Sequence, residues 1–200
     1  MGQRIAEAIF IAESDAKLFA KEMNKVLAAA GASPLAKLGT PLCLDVEAGT
    51  EISVFKPKHP NMVATEPKIY NPFGFRDEDV IRAALAEIGE GITVIRNWAE
   101  PAMKSLPPER EFGLVTWLRI FPDSFRNQEY FLSVMAAAMP HLAEVGVMIA
   151  SVVEEDMETR DVFAEAARLI PKEIPGMMAK LIELSPMASG SLFIVAGKNS

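Results

Sequence analysis

His141 and Glu144 lie three residues apart in the apolar run Tyr130–Val153, YFLSVMAAAMPHLAEVGVMIASVV, and are the ionisable groups inside its apolar part. On a helix, positions i and i+3 share one side. A carboxyl in an apolar setting is disfavoured as an anion, and an imidazole beside it can pair with it or exchange a proton with it. His141 and Glu144 are therefore the candidate catalytic residues, against the plainer reading of a core pair whose members satisfy one another. No metal ligands are assigned, because His59 is the only other histidine and a helical two-metal bundle needs two Glu-x-x-His motifs. No cofactor is expected.

A second concentration of chemistry lies between Lys56 and Arg76, KPKHPNMVATEPKIYNPFGFR. Lys56, Lys58, His59, Lys68 and Arg76 face a single acid, Glu66, and are interleaved with Tyr70, Phe73 and Phe75. Long connections without regular structure are often binding loops. These eight basic and aromatic residues are the candidate ligand-binding set, suited to negative charge or an apolar knob. The alternative is a loop packed by its own aromatics.

Other patterns carry less. Glu154, Glu158, Asp161 and Glu165 would make one negative stripe on a helix, which usually means a solvated face. Ser14-x-x-Lys17 and Ser53-x-x-Lys56 lack the companion motifs of penicillin-recognising enzymes, and Ser14 suits a helix cap. There is no G-x-S-x-G, no phosphate-binding P-loop, no complete G-x-G-x-x-G and no C-x-x-C. Cys43 is the sole cysteine, so no disulfide can form within the chain. Its alternation with apolar neighbours predicts a partly exposed, ordinary thiol.

The elements that must position these groups follow from periodicity. Residues 8–12 read as a strand, followed by a helix through Leu18, Phe19, Met23, Val26 and Leu27 that closes at Gly31. Alternation on either side of Ala48-Gly49-Thr50 predicts a β-hairpin over 42–56. Four prolines make 56–76 an irregular connection. Asp77, Glu78 and Asp79 open a helix running to Gly89, 91–97 leans to a strand, and 112–121 reads as a buried strand. Helices fill 124–153, 155–169 and 172–184, the apolar stretch 130–153 being the central one, and 191–197 is a last strand. The expected fold class is α+β: a small sheet (hairpin 42–56 plus strands near 8–12, 112–121 and 191–197) covered by helices, in a single domain over 1–200.

Two hundred residues, 50% hydrophobic and 24% charged, can bury a core unaided. A net charge of −7 opposes counterion-release binding and argues against nucleic acid. Residues 1–17 give no signal-peptide pattern, and Glu144, His141 and Pro140 at the centre of 130–153 count against a membrane span. The resulting expectation is a soluble, cytoplasmic protein that binds another protein or a small anionic or apolar ligand through 56–76, with self-association left open. The alternative is a small hydrolase or isomerase built on His141 and Glu144.

Overall fold

In the computed structural model, the described residues are 13–44, 55, 59, 61–65, 92–95, 97–118, 120, 127–153, 157–184 and 191–199. Among these residues four helices, α1 (Glu13–Ala30), α2 (Ala99–Lys104), α3 (Gln128–Ala138) and α4 (Met157–Glu173), accompany seven strands. The strands are β1 (Pro41–Cys43), β2 (Val63–Thr65), β3 (Thr93–Ile95), β4 (Phe112–Trp117), β5 (Leu142–Val153), β6 (Met177–Glu183) and β7 (Ser191–Lys198). They form one sheet in the order β3-β2-β1-β4-β5-β7-β6. The pairs among β1 to β5 are parallel, whereas β7 is antiparallel to both of its neighbours, β5 and β6.

Parallel strands carry helices on both sides, so side chains pointing either way are apolar. Leu42, Val63, Val115, Met148 and Ile194 face one core with Met103 of α2, Phe131 and Met135 of α3, and Phe163 and Ile170 of α4. Trp117 stacks on Phe131 with ring centres 5.6 Å apart, and Phe131 meets Phe163 edge-on at 6.0 Å. Cys43, Ala64, Leu114, Ile149 and Phe193 face the other core with Met23, Val26 and Leu27 of α1.

Local chemistry sets the helix ends. Gly31 adopts φ 78° after α1, its N–H donating to Ala28 O (3.0 Å) and that of Ala32 to Leu27 O (2.8 Å), a pairing that satisfies the last carbonyls. Asn127 caps α3 by accepting from Tyr130 N at 3.1 Å. Pro140 lies in a 3-10 turn, Met139–His141, that separates α3 from β5.

This architecture corrects several expectations. The sheet is a large, mostly parallel one with helices on both sides, not a small sheet under a helical cover. The run 130–153 is half helix and half strand: a strand buried on both faces reads as a continuous apolar stretch, and periodicity alone does not separate it from a buried helix. The hairpin over 42–56 is replaced by β1, which ends at Cys43 and pairs in parallel with β2 and β4. The connection 56–76 is not wholly irregular, since β2 runs through it. The helix over 172–184 gives way to β6, because Pro175 and Gly176 (φ 81°) turn the chain after α4. Cys43 is fully buried rather than partly exposed. The strand over 8–12 and the helix from 77 lie outside the described residues.

Candidate functional site

The chain lays down β1, β2 and β3 outward on one side, then returns to place β4 and β5 on the other side of β1. In such sheets the connections after β1 and β4 leave in opposite directions, opening a crevice beyond the carboxyl ends of these strands where ligands bind. Around that crevice the Leu44 N–H donates to Thr116 O at 2.7 Å, which fixes the tip of β1 against β4. Beyond β3, Asn97 Oδ1 accepts from Trp98 N at 2.9 Å and holds the Trp98 backbone at the start of α2. Trp98 is 48% exposed, which is unusual for so large an apolar side chain. Beyond β4, Trp117 is buried against Phe131 and meets half-buried Tyr130, from the first turn of α3, edge-on at 6.1 Å. One further group stands out on β4: the hydroxyl of Thr116 is fully buried without a hydrogen-bond partner.

The residues singled out from sequence lie elsewhere. His141 and Glu144 stand at the start of β5, on the amino-terminal edge of the parallel strands. His141 is buried, with Nδ1 3.0 Å from Arg110 O and Nε2 3.0 Å from Met103 O, so both ring nitrogens are already engaged by backbone carbonyls. Glu144 is exposed in a bulge: Leu142 pairs with Phe112 and Val147 with Leu114, so residues 143–146 oppose Gly113 alone. The strand therefore separates a pair that a helix would have joined. Glu144 lines a cleft of about 310 Å³ with Gly31, Val145, Met178, Lys180 and Lys198. Lys180 donates to Ala30 O (2.7 Å) and Lys198 to Leu142 O, so both ammonium groups are tied to the backbone.

Of the ligand-binding set, Lys56, Lys58, Lys68, Tyr70, Phe73, Phe75 and Arg76 lie outside the described residues. His59 is half-buried just ahead of β2; its N–H donates to Phe55 O (2.9 Å) and its carbonyl accepts from Met62 N (3.1 Å). Sequence reasoning missed Trp98, beyond β3, and gave no weight to two acids that lie outside the described residues, Asp45, two positions after β1 in sequence, and Glu66, directly after β2. The signal was an acid within two residues of the end of each of two short apolar strands, and it carries meaning only once those strands are known to be parallel neighbours.

Among the described residues no group of three or more histidines, cysteines or acids is placed to hold a metal, and no helix is long and apolar enough to cross a membrane. No protein-family model and no curated protein sequence matches the chain. Solved structures match its fold. A Klebsiella pneumoniae protein described as an O-methyltransferase superposes with TM-score 0.59 at 14% identity, over 100% of this chain and 90% of that one. An S-adenosylmethionine-dependent methyltransferase from Clostridium acetobutylicum gives 0.58 at 10% identity, over 92% of each chain. A Clostridium thermocellum protein described as an rRNA-methylase gives 0.56 at 11% identity, over 81% of this chain and 88% of that one.

These likenesses correct the functional expectations. A binding protein without a catalytic centre, with a hydrolase or isomerase as its alternative, gives way because the matched proteins are described as methyltransferases. The partner expectation of a protein or a small anionic or apolar ligand gives way with it, and nucleic acid is no longer excluded, since one of the three is described as acting on rRNA. What the chain shares with them is the Rossmann-like methyltransferase fold.

Proposed function

We propose that the chain is a methyltransferase that uses S-adenosylmethionine. The observation that carries this reading is the strand order with β7 alone reversed, in a sheet whose β1 and β2 are each followed in sequence by an acid. Open parallel sheets of this kind also hold dinucleotides, so the choice of cofactor rests on charge. A pyrophosphate wants a glycine-rich turn and a positive setting. After β1 this chain reads Asp45-Val-Glu-Ala-Gly-Thr-Glu51, one glycine among three acids. That suits a cofactor bearing a sulfonium and an ammonium group. It repels a pyrophosphate.

S-adenosylmethionine, when bound, supplies an electrophilic methyl group on its sulfonium. Asp45 and Glu47 are the groups of this chain to hold the cationic end. Glu66, 21 residues beyond Asp45, occupies the place after β2 from which an acid bonds ribose hydroxyls in related sheets. Trp98 offers its exposed face to the adenine ring or to an aromatic acceptor. The buried strands β1, β2 and β4 keep water from the far side of the crevice. A cytoplasmic setting, in which the buried Cys43 thiol stays reduced, goes with this reading.

The test is calorimetric titration of the protein with S-adenosylmethionine, S-adenosylhomocysteine and NAD. Micromolar binding of the first two without NAD binding is the expected result; no binding of either at millimolar concentration overturns the assignment.

A further inference from the structure

At the amino-terminal end of β5, away from the crevice, a cleft of about 310 Å³ opens between the end of α1, the bulge of β5 and the strands β6 and β7. Small-molecule sites run upward from roughly 300 Å³, so the space suits a compact ligand. Glycines keep it open. Gly31, Gly146 and Gly197 all border the cleft, where a Cβ on Gly31 would stand 3.7 Å from Lys180 Nζ and one on Gly197 only 3.3 Å from Gly146 O.

The walls are apolar on both sides. Val147 and Val195 are buried, whereas Val145 is 74% and Met178 52% exposed. Val145 is bare because β5 pairs with β7 only from Val147 onward. Single exposed apolar side chains are ordinary; two that share a concave surface mark a place where something binds.

Both signs of charge border the same cleft and stay apart. Glu144 is exposed, and its carboxylate makes no hydrogen bond or ion pair among the described residues. Lys180 gives one donor to Ala30 O at 2.7 Å, and Lys198 gives one to Leu142 O. An ammonium group has three donors, so each lysine is held in place with donors remaining. A ligand that takes them immobilises little that was free.

We propose that this cleft is a binding site for a small amino acid with an aliphatic or thioether side chain. Its carboxylate lies toward Lys180 and Lys198, its ammonium toward Glu144, and its side chain against Val145 and Met178. The separated charges select a zwitterion: a fatty acid leaves Glu144 unanswered, and a dicarboxylate meets it with like charge. The site lies at the other end of the sheet from the crevice and does not depend on the methyltransferase reading.

The experiment is calorimetric titration with L-leucine, with isoamylamine, which lacks the carboxylate, and with isocaproate, which lacks the ammonium group. Leucine is expected to bind with a submillimolar dissociation constant, and each analogue roughly tenfold more weakly. Glu144→Gln, a nearly isosteric change at an exposed position, and Lys180→Met should each weaken leucine binding roughly tenfold. Thermal unfolding shows that both variants are folded, and Lys104→Met, on α2, stays within about twofold. Saturation with S-adenosylhomocysteine leaves leucine binding unchanged. Four outcomes overturn the proposal: no leucine binding at millimolar concentration, equal binding of either analogue, unchanged affinity in Glu144→Gln, or displacement of leucine by S-adenosylhomocysteine. Should S-adenosylhomocysteine itself not bind, the methyltransferase reading fails while the leucine titrations still decide this one.

Discussion

The two ends of the parallel sheet treat polar groups in opposite ways. At the amino-terminal end they are tied to backbone: His141 to the carbonyls of Met103 and Arg110, the Arg110 guanidinium to Asn61 O at 2.9 Å, and Lys198 to Leu142 O. Past the carboxyl end Trp98 stands half exposed, and in sequence Asp45 comes two residues after β1 and Glu66 directly after β2. Polar groups consumed by the backbone stitch a structure together, while those left at a switch point are available to a ligand. Chemical type alone does not separate the two. His141 is the most chemically suggestive side chain in its run, and it works as a strut.

The largest effect that can break this contrast is His141→Ala. Deleting the ring removes its contacts with the Met103 and Arg110 carbonyls and opens a cavity, so a loss of about 3 kcal/mol is expected in denaturant unfolding, with S-adenosylmethionine affinity unchanged in the folded fraction. A variant of normal stability that no longer binds cofactor would reverse the assignment of the two ends. Gly146→Ala comes next. A Cβ there would sit 2.8 Å from Phe112 O and 2.9 Å from Ala143 N, both backbone atoms, so the bulge must shift at a cost of about 1–3 kcal/mol; an unchanged melting temperature would mean the bulge is soft.

At the other end, Glu66→Gln should lower S-adenosylmethionine affinity roughly tenfold, about 1.4 kcal/mol, while leaving the melting temperature where it was; calorimetry and thermal unfolding read the two separately. Thr116→Val replaces an unpartnered buried hydroxyl by a methyl group of similar shape, and a gain of about 0.5–1 kcal/mol is expected in urea unfolding. A loss there would mean that the hydroxyl serves the fold.

The smallest effect concerns the surface. The hydrogen bond from Lys104 holds the Glu100 carboxyl below its ordinary value, against a small opposing effect of burial, with the Lys104 charge and Ser133 adding to the lowering. A carboxyl lowered in the folded state stabilises above its unfolded pKa, and that stabilisation fades as pH falls through the folded value. Lys104→Ala should therefore raise the Glu100 titration seen by NMR and cost only about 0.3–0.5 kcal/mol near neutral pH, a difference that disappears in acid.

Much of the secondary structure was legible, and the reasons for the rest are physical. α1 shows its apolar stripe and its closing glycine, and β4 its aromatic and β-branched run, because each carries its signal locally. β5 did not, because a strand covered on both faces has no polar side to alternate with. Leu42 meets Val63 on one side and Val115 on the other, and no local pattern announces partners so distant. β6 misled through its edge position: Met178, Lys180 and Leu181 are exposed and Met177 is buried, a mixture that mimics an amphipathic helix. The site was hidden for the same reason as the sheet. Asp45 and Glu66 are unremarkable acids until β1 and β2 are seen side by side, and a loop with one glycine offers no fingerprint to search for.

The reversal of β7 has a kinetic consequence. The strand that comes last in chain order takes an interior place between β5 and β6, so while the polypeptide is being synthesised the sheet waits with a gap. Until residues 191–198 emerge, the edge of β5 over Val147–Val153 is unpaired and open to strands of other chains. A premature stop before Ser191 would remove a central rung rather than fray an end. Its product should aggregate through β5 instead of folding with slightly lower stability, so for this chain completeness at the ribosome is a condition of solubility.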